Sequence, residues 1–300
     1  IRPLYETQKR FGLFMKENNW LANAERLADF NLALDWNHSR SGYYHSEADE
    51  SGFSNTNAWE FFRKGMMISS LCASYNMNLL SLYDDALLEQ TDKPFWVATS
   101  ACMRADVQER LVNFVQRGGQ LLLAPLIPYL DEDMQPCTIL RDFLGGATTR
   151  KCEQSYPCAN VGPVHNVHHS ALWQSNTRPD EAITLATEER SGAELAWKLD
   201  LAGGGRVIWL GLHWLHGQHE HTHMVKALLN EMGCDGPIVD CSNPCIWTSL
   251  RSDGENSMLF AMNLFSSPQE TQLQVRQNDG TTLEIHHQQF APMEVKTFEI

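Results

Sequence analysis

The clearest hydrophobic pattern in the chain is a short apolar run, an amphipathic segment and a second short apolar run. Residues 105–117 carry apolar side chains at steps of three and four, which is typical of a helix with one buried face. These positions are Val107, Leu111, Phe114 and Val115. Gly118 and Gly119 then end the helix, because glycine tolerates the left-handed conformation of a C-cap. The flanking runs, residues 94–99 and 120–125, are short enough for buried strands, so the sequence predicts a βαβ unit with parallel strands.

Helical and strand patterns alternate through most of the chain, which favours an α/β fold. The same periodicity predicts further helices at residues 3–16, 20–26, 59–75, 138–143 and 224–232. It predicts further strands at residues 28–34, 79–83 and 206–212, and an antiparallel hairpin at residues 183–199. The remaining segments are predicted to be polar loops at residues 35–57 and 213–223 and an irregular surface excursion at residues 147–179.

The pattern changes after Gly236, where helical periodicity stops. Alternating runs appear at residues 245–250, 257–264, 271–275, 282–285 and 293–298, with turn-forming sequences between them. They predict a small antiparallel β-sandwich. The predicted domains are a helical lead-in from an upstream domain (residues 1–27), an α/β domain (residues 28–236) and a β domain (residues 237–300). For the α/β domain we expect a mostly parallel, flavodoxin-like sheet with flanking helices.

Composition and charge exclude some classes of partner. The chain has 300 residues and a formal net charge of −14, so it repels nucleic acid phosphates and anionic lipid surfaces. No apolar run approaches the length of about 20 residues that spans a bilayer. The eight cysteines form no CxxC pair, which favours a reducing compartment such as the cytoplasm over a disulfide or zinc framework. Because the chain begins with Ile1 and lacks a signal peptide pattern, we expect a processed chain or part of a longer protein.

The polar segment at residues 35–57 follows directly on a predicted strand. In open α/β sheets ligands gather outside the carboxyl ends of strands, and loops of this length are uncommon in compact domains unless functional or mobile. The side chains that could stack or form hydrogen bonds are Trp36, Asn37, His38, Tyr43, Tyr44 and His45. The segment is interpreted either as lining a ligand or subunit contact or as a solvated connection.

The second polar segment, residues 213–223, is rich in histidine and also follows a predicted strand. Candidates for contacts with a ligand or a subunit are His213, Trp214 and His216. Candidates for zinc or nickel ligands are His219, His221 and His223, although the HExxH spacing is missing. A plain loop is the third interpretation, and no resident cofactor is expected. Since parallel strands end at one edge of a sheet, this segment and residues 35–57 should meet there as an exposed aromatic contact surface.

The residues required for two kinds of catalysis are missing from the positions at which those mechanisms need them. A class I glutamine amidotransferase needs a nucleophilic cysteine after a central strand and a later His-x-Glu pair. At those places this chain has Ala124-Pro125 and His213-Trp214-Leu215. Glycoside hydrolysis needs two carboxylates that face one bond, and the acidic residues of this chain fall mainly in polar loops.

Three segments, taken in order along the chain, resemble parts of one known family. They are KPFWVATSACMRADVQERLVNFVQRGGQLLLAP at residues 93–125, GGGRVIWLGLHW at residues 203–214 and WTSLRSDGENSMLFAMNLFSS at residues 247–267. The combination resembles the non-barrel half of bacterial β-galactosidases of glycoside hydrolase families 42 and 35. In those enzymes a (β/α)8 barrel carries both catalytic glutamates. An amidotransferase-like α/β domain, used for trimerisation in family 42, and a small β domain follow it.

The resemblance implies a function for the chain as a whole. We expect the non-catalytic portion of a retaining β-galactosidase, with a galactoside or oligosaccharide substrate bound by an upstream barrel. The α/β domain would mediate contacts within a homo-oligomer, a trimer or a dimer, and would cover a neighbouring active site. No catalytic residue is assigned, because the barrel is not in this sequence. The alternatives are a free-standing amidotransferase-like α/β hydrolase and a sugar- or metal-binding protein.

Overall fold

The described helices and strands are interspersed over residues 2–143, and most of the elements after residue 143 are strands. The structure, a computed structural model, describes residues 2–34, 55–83, 88–89, 91–153, 156–277 and 279–300. Its helical elements are α1 (Arg2–Glu17), a 3-10 helix (Asn19–Ala22), α2 (Asn55–Glu60), a π-helical segment (Phe61–Met67), α3 (Ile68–Cys72), α4 (Ala105–Gln116), α5 (Ile139–Phe143) and α6 (His219–Glu231).

The strands belong to two compact units, residues 29–236 and residues 1–28 with 237–300. In chain order they are β1 (Glu25–Leu27), β2 (Phe30–Leu34), β3 (Met77–Ser81), β4 (Phe95–Ala98), β5 (Gln120–Ala124), β6 (Thr148–Lys151), β7 (Cys158–Val161), β8 (Val164–His168), β9 (Ala171–Thr177), β10 (Ile183–Glu188), β11 (Glu194–Asp200), β12 (Arg206–Leu210), β13 (Leu212–His213), β14 (Val239–Cys241), β15 (Ile246–Ser252), β16 (Ser257–Asn263), β17 (Gln269–Arg276), β18 (Thr282–Phe290) and β19 (Val295–Glu299).

A nine-stranded mixed sheet forms the centre of unit 29–236. Its strand order is β3-β2-β4-β5-β12-β11-β10-β7-β8. The first five of these strands run parallel, and the last four are joined by antiparallel pairings. The α/β class is therefore confirmed. The sheet is more mixed than predicted, because the hairpin of β10 and β11 and the strands β7 and β8 extend it on one side.

The predicted βαβ unit is present and consists of β4, α4 and β5, with β4 and β5 paired in parallel. The four apolar positions that define the helix face are fully buried. Gly118 has a φ of 100°, and its N–H bonds to Val115 O while the N–H of Gly119 bonds to Phe114 O. This pair of bonds is the Schellman C-cap, so the double glycine ends the helix for the expected physical reason.

The prediction of an irregular segment at residues 147–179 is wrong. These residues contain β6, β7, β8 and β9. Strands β7 and β8 complete the edge of the large sheet, and β9 forms a separate sheet with β6 and β13. Strands β6, β7 and β8 have only four or five residues, and β6 and β8 are largely exposed and polar, so their alternation is weak in the sequence. Pairing with neighbouring strands, which is a tertiary interaction, determines their conformation.

Two segments near predicted boundaries also differ from expectation. Residues 219–223, predicted as loop, form the first turn of α6. Residues 20–26, predicted as helix, form only the 3-10 helix and then β1, which pairs antiparallel with β15. Residues 1–28 therefore pack with residues 237–300. The partner strand, which lies more than two hundred residues away, stabilises β1 where local propensity favours a helix.

The unit of residues 1–28 and 237–300 contains two antiparallel sheets, β1-β15-β16-β19 and β14-β17-β18. Buried side chains from both sheets form one apolar cluster that includes Leu250, Leu259, Leu273 and Phe290. Two sheets over a shared core are the arrangement of a β-sandwich. The five predicted strands are all present, and the short β14 is an addition to them.

Among the described helices, none combines the length and the apolar character needed to cross a bilayer.

Replacing Phe114 by alanine is expected to lower the free energy of unfolding of unit 29–236 by about 3–5 kcal/mol. The ring is fully buried and lies edge-on to Phe95, with centroids 5.3 Å apart, so its loss leaves a cavity. Urea denaturation followed by tryptophan fluorescence measures the change. Glu109→Ala, on the exposed face of the same helix, is the matched control and should cost less than about 0.5 kcal/mol. Equal values for the two variants would contradict the assigned helix face.

Candidate functional site: the histidines around Trp214

Trp214 is the centre of a group of aromatic and histidine side chains inside unit 29–236. It directly follows β13, and its side chain is fully buried. Its ring lies edge-on to Phe61 at a centroid distance of 4.8 Å, and its centroid is 6.1 Å from that of Trp96 on β4. The ring of His169 lies 6.1 Å away on another side. Trp214 therefore connects the end of the parallel sheet with the π-helical segment and with the residues after β8.

The π-helical segment Phe61–Met67 supplies the surface on which the residues after β13 lie. Lys64 O accepts a hydrogen bond from the N–H of His216 at 3.0 Å. Gly65 permits this close approach, because a Cβ atom there would collide with the carbonyl oxygen of Trp214 and with the ring of Phe61. Helical widening of this kind is frequent at functional sites.

A chain of hydrogen bonds connects Trp214 to His216 through Ser69. The indole Nε1–H of Trp214 donates to Ser69 Oγ at 2.9 Å, and Ser69 Oγ lies 2.9 Å from His216 Nδ1. Ser69 is fully buried, so its hydroxyl hydrogen requires an acceptor. This requirement is met when the hydroxyl donates to an unprotonated Nδ1 of His216. Burial, and secondarily the neighbouring His221, lower the pKa of His216, which agrees with a neutral ring.

His221 is held in one tautomer by two backbone groups. Its Nε2 lies 2.9 Å from the carbonyl oxygen of His168, which can only accept, so Nε2 carries the hydrogen. Its Nδ1 accepts a hydrogen bond from the N–H of Gly217 at 3.4 Å. Burial lowers the pKa of His221, although the hydrogen bond to His168 opposes the change. The neutral imidazole thus links the start of α6 to the end of β8.

Burial lowers the pKa values of His213 and His169 strongly. Burial lowers the pKa of His213 from 6.5 to about 4, and Glu60 opposes this in part. The His213 ring packs on Phe61 at a centroid distance of 5.0 Å. Burial, followed by the charges of neighbouring histidines, lowers the pKa of His169 well below 6.5. All of these rings are therefore uncharged at neutral pH, and the site as a whole favours neutral imidazole.

Two histidines of the same segment instead lie at the surface. His219 and His223 are one helical turn apart on α6, and both are exposed. Their Nε2 atoms are 3.0 Å apart, and their rings meet edge to face with centroids separated by 4.5 Å. The opposite face of α6 is buried and contains His221, Met224 and Val225. Helical periodicity thus separates this segment into buried and exposed histidines.

The structure brings some of the predicted site residues together, and it places Trp214 in the core and not at the surface. His213, Trp214, His216 and His221 lie together. Trp214 was expected to form an exposed contact surface, but it is a core residue, because its indole needs the buried Ser69 as an acceptor. The other candidates, Trp36, Asn37, His38, Tyr43, Tyr44 and His45, lie outside the described residues.

Sequence reasoning missed several members of the group. Ser69 has no distinguishing pattern, because it occupies an ordinary position in an apolar helical segment. Phe61 is part of the same helical pattern. The adjacent histidines His168 and His169 give a signal in the sequence, but the failure to predict β8 left them without a position in the fold.

The carboxyl ends of the central strands are occupied by internal hydrogen bonds. Pro125 O, directly after β5, accepts from Trp209 Nε1 at 3.0 Å. Thr99 Oγ1, directly after β4, donates to Leu126 O at 2.6 Å and accepts from Leu126 N at 3.2 Å. The residues directly after β4 and β5 thus supply hydroxyl and backbone groups that stabilise the ends of these strands.

The carboxylates of Glu188 and Asp29 also serve the fold. The side chain of Glu188 is buried and accepts hydrogen bonds from the backbone N–H groups of Arg190 and Ser191 in the turn after β10. Asp29 accepts from the N–H of Asn76 at 2.6 Å. Over the described residues, no group of three or more His, Cys, Asp or Glu side chains is arranged to hold a metal ion.

Comparisons with known sequences relate the chain to carbohydrate-active enzymes. Residues 50–182 match the family described as GLMA-like, second domain. An exo-β-D-glucosaminidase of Pyrococcus horikoshii is 36% identical over 203 residues, which are 64% of this chain and 25% of that protein. A β-1,2-glucosyltransferase of Ignavibacterium album is 31% identical over 172 residues, 57% of this chain and 23% of that protein. The chain thus spans about a quarter of the length of these curated relatives.

The fold is that of a portion of family 42 glycoside hydrolases. A β-galactosidase of that family from G. stearothermophilus superposes with a TM-score of 0.67 at 14% sequence identity, covering 92% of this chain and 40% of the other. The resemblance predicted from the sequence is therefore confirmed. The chain is glycoside hydrolase-like in sequence and in fold.

The buried histidines predict a specific dependence of stability on pH. Their pKa values are lower in the folded state than the value of 6.5 expected for the unfolded state, so unfolding takes up protons below about pH 6.5. The contribution of these neutral histidines to the free energy of unfolding is therefore fully present above pH 6.5 and is lost as the pH falls. For His213 the loss continues to about pH 4 and corresponds to about 3 kcal/mol.

The variant His213→Asn isolates this contribution. Between pH 6 and pH 4.5 its unfolding free energy should depend on pH less steeply than that of the wild type, by about 1.4 kcal/mol per pH unit. Urea denaturation at a series of pH values gives the slope, whatever the stability of the variant at neutral pH. His165→Asn, which removes an exposed histidine, is the control. An unchanged slope in His213→Asn would show that His213 titrates normally in the folded protein.

Proposed function

We propose that this chain is the non-catalytic portion of a glycoside hydrolase, and that it forms subunit contacts and covers the active site of a catalytic barrel. The observation that carries the proposal is the unequal coverage in the structural comparison. The family 42 fold accounts for 92% of this chain, whereas the chain accounts for 40% of the β-galactosidase. The match of residues 50–182 to a domain described as second supports the same assignment.

The chemistry of the described residues supports a non-catalytic role. A glycosidase of the common type needs two carboxylates across one sugar bond, about 5–10 Å apart. The carboxylate of Glu188 is committed to a turn and that of Asp29 to the backbone of Asn76. The ring of His216 bonds to Ser69 and that of His221 to the backbone of His168 and Gly217, so these two histidines stabilise the fold.

The arrangement of the parallel strands supports an amidotransferase-like origin of the α/β unit. Numbered in chain order, the five parallel strands β3-β2-β4-β5-β12 have the order 2-1-3-4-5, which is that of flavodoxin-like sheets. The fold would thus have been kept as a scaffold, with Pro125 and Leu126 where a nucleophile would otherwise stand. A free-standing hydrolase is the less favoured alternative, because the carbonyl oxygens of Pro125 and Leu126 already accept hydrogen bonds from Trp209 and Thr99.

Two substrate classes follow from the comparisons. Fold likeness points to β-galactosides, but at 14% identity it reports only the fold. The sequence relative at 36% identity is named an exo-β-D-glucosaminidase, which favours terminal β-linked glucosamine as the substrate of the whole protein. We propose the glucosaminide first and the galactoside second.

The 300-residue chain alone is expected to hydrolyse neither an aryl β-galactoside nor an aryl β-glucosaminide. Release of the aryl group over several hours at high protein concentration is the measurement. Turnover that disappears on replacing a single carboxylate of this chain, for example Glu220→Gln or Asp131→Asn, would contradict the proposal. Turnover that survives both changes would point to a contaminating enzyme, which a repeat with chain purified from an unrelated host would remove.

Self-association should depend on the aromatic residues that follow β2. The net charge of −14 makes copies of the chain repel one another, so association needs a local aromatic or apolar surface. Trp36→Ala with Tyr44→Ala is expected to weaken association by about tenfold or more, since aromatic residues dominate contact energies. Sedimentation velocity over a range of concentrations measures this. Phe265→Ala, an exposed aromatic residue in the other unit, is the control. A monomer at every concentration, or equal association in both variants, would refute this surface.

A further inference from the structure

We propose that His219 and His223 form a two-histidine site for a divalent late first-row metal ion, with Cu²⁺ bound most tightly. The site is independent of the glycosidase proposal, because it lies on the exposed face of α6 and uses none of the buried histidines. The inference starts from the contrast within one segment. His216 and His221 are bonded inside the domain, whereas, within the described part of the chain, the Nε2 atoms of the exposed pair are bonded to each other.

The separation of the two nitrogen atoms fits a shared metal ion. Metal–nitrogen bonds of imidazole are about 2.0–2.1 Å long. With both Nε2 atoms bonded to one ion, their 3.0 Å separation corresponds to an angle of about 90–100° at the metal. A tetrahedral ion would need the nitrogen atoms about 3.3–3.4 Å apart. The geometry therefore favours square-planar or octahedral coordination, which suits Cu²⁺ and Ni²⁺ better than Zn²⁺.

The helix supplies the chelate. Residues four apart on an α-helix lie on the same face, about 5–6 Å apart at Cβ, and His219 and His223 are such a pair on α6, a helix of 13 residues. Because the backbone already holds both rings, binding the second ring costs little additional ordering. Water would complete the coordination, since both rings are exposed.

The electrostatic surroundings contain one unfavourable and two favourable contributions. A cation near the first turn of a helix is repelled by the helix dipole, by about 0.3–1 kcal/mol. Glu220 lies in the same turn and offsets this. The formal charge of −14 also raises the concentration of cations around the chain. The free pair is itself constrained, because two Nε2 lone pairs that face each other at 3.0 Å repel unless a hydrogen or a metal ion lies between them.

The test is a calorimetric titration of the chain, without any histidine affinity tag, with CuCl2, NiCl2 and ZnCl2 in a buffer that does not chelate metals. One equivalent of Cu²⁺ should bind most tightly, followed by Ni²⁺ and Zn²⁺. His219→Ala and His223→Ala should each weaken Cu²⁺ binding by about tenfold or more, because the chelate is lost. His165→Ala, which removes an exposed histidine on β8, should bind as the wild type does.

A second measurement locates the ion. Substoichiometric Cu²⁺ should broaden the ring NMR signals of His219 and His223 before those of His286 and His287, which are exposed in the other unit. Either of two results would overturn the proposal: no saturable binding, or binding of unchanged strength in His219→Ala with His223→Ala combined. Circular dichroism of each variant shows that α6 is intact, so a loss of binding reports on the rings rather than on unfolding.

Discussion

The central constraint on this protein is that a parallel sheet must be covered on both faces. Strands β2 and β4 are buried at every residue, and β5 and β12 at every residue after the first. Their side chains alternate between the two faces, so both faces require apolar partners. Helix α4 meets this need with a fully buried apolar stripe, and the double glycine after it returns the chain to the sheet. The positions of the strand ends follow from this packing.

Burial of the strand ends explains the character of the site. When β12 continues through β13 into Trp214, the indole enters the core with its N–H group, and that polar group requires an acceptor. Ser69 Oγ is that acceptor, and its own hydroxyl hydrogen bonds in turn to His216 Nδ1. The neighbouring rings of His213 and His169 then share an environment with little water, which favours the uncharged imidazole. These histidines are therefore part of the core, and burial lowers their pKa values.

The proposed role in covering and joining other domains agrees with the use of the buried groups for stability alone. The interior of unit 29–236 is committed to its own stability, so the proposed interactions with a barrel or another copy would use surface segments. We propose the sequence after β2 as one such segment, because ligands of open α/β sheets gather at the carboxyl edge of the strands. The exposed face of α6 is another, and it presents different chemistry, a pair of imidazoles instead of aromatic rings.

The sequence by itself determined the βαβ unit, the change to antiparallel strands after residue 236 and the resemblance to glycoside hydrolases. The first two features rest on local periodicity and on glycine at a helix end, and the resemblance rests on short continuous segments. All of these are read from residues that are neighbours in the sequence. The tertiary structure alone decided the strands in residues 147–179 and the conversion of residues 25–27 into β1, because weakly patterned segments adopt the conformation that their pairing partners stabilise. It also decided which histidines are buried. His221 and His223 are two residues apart in sequence, but the phase of α6 places one in the core and the other in water.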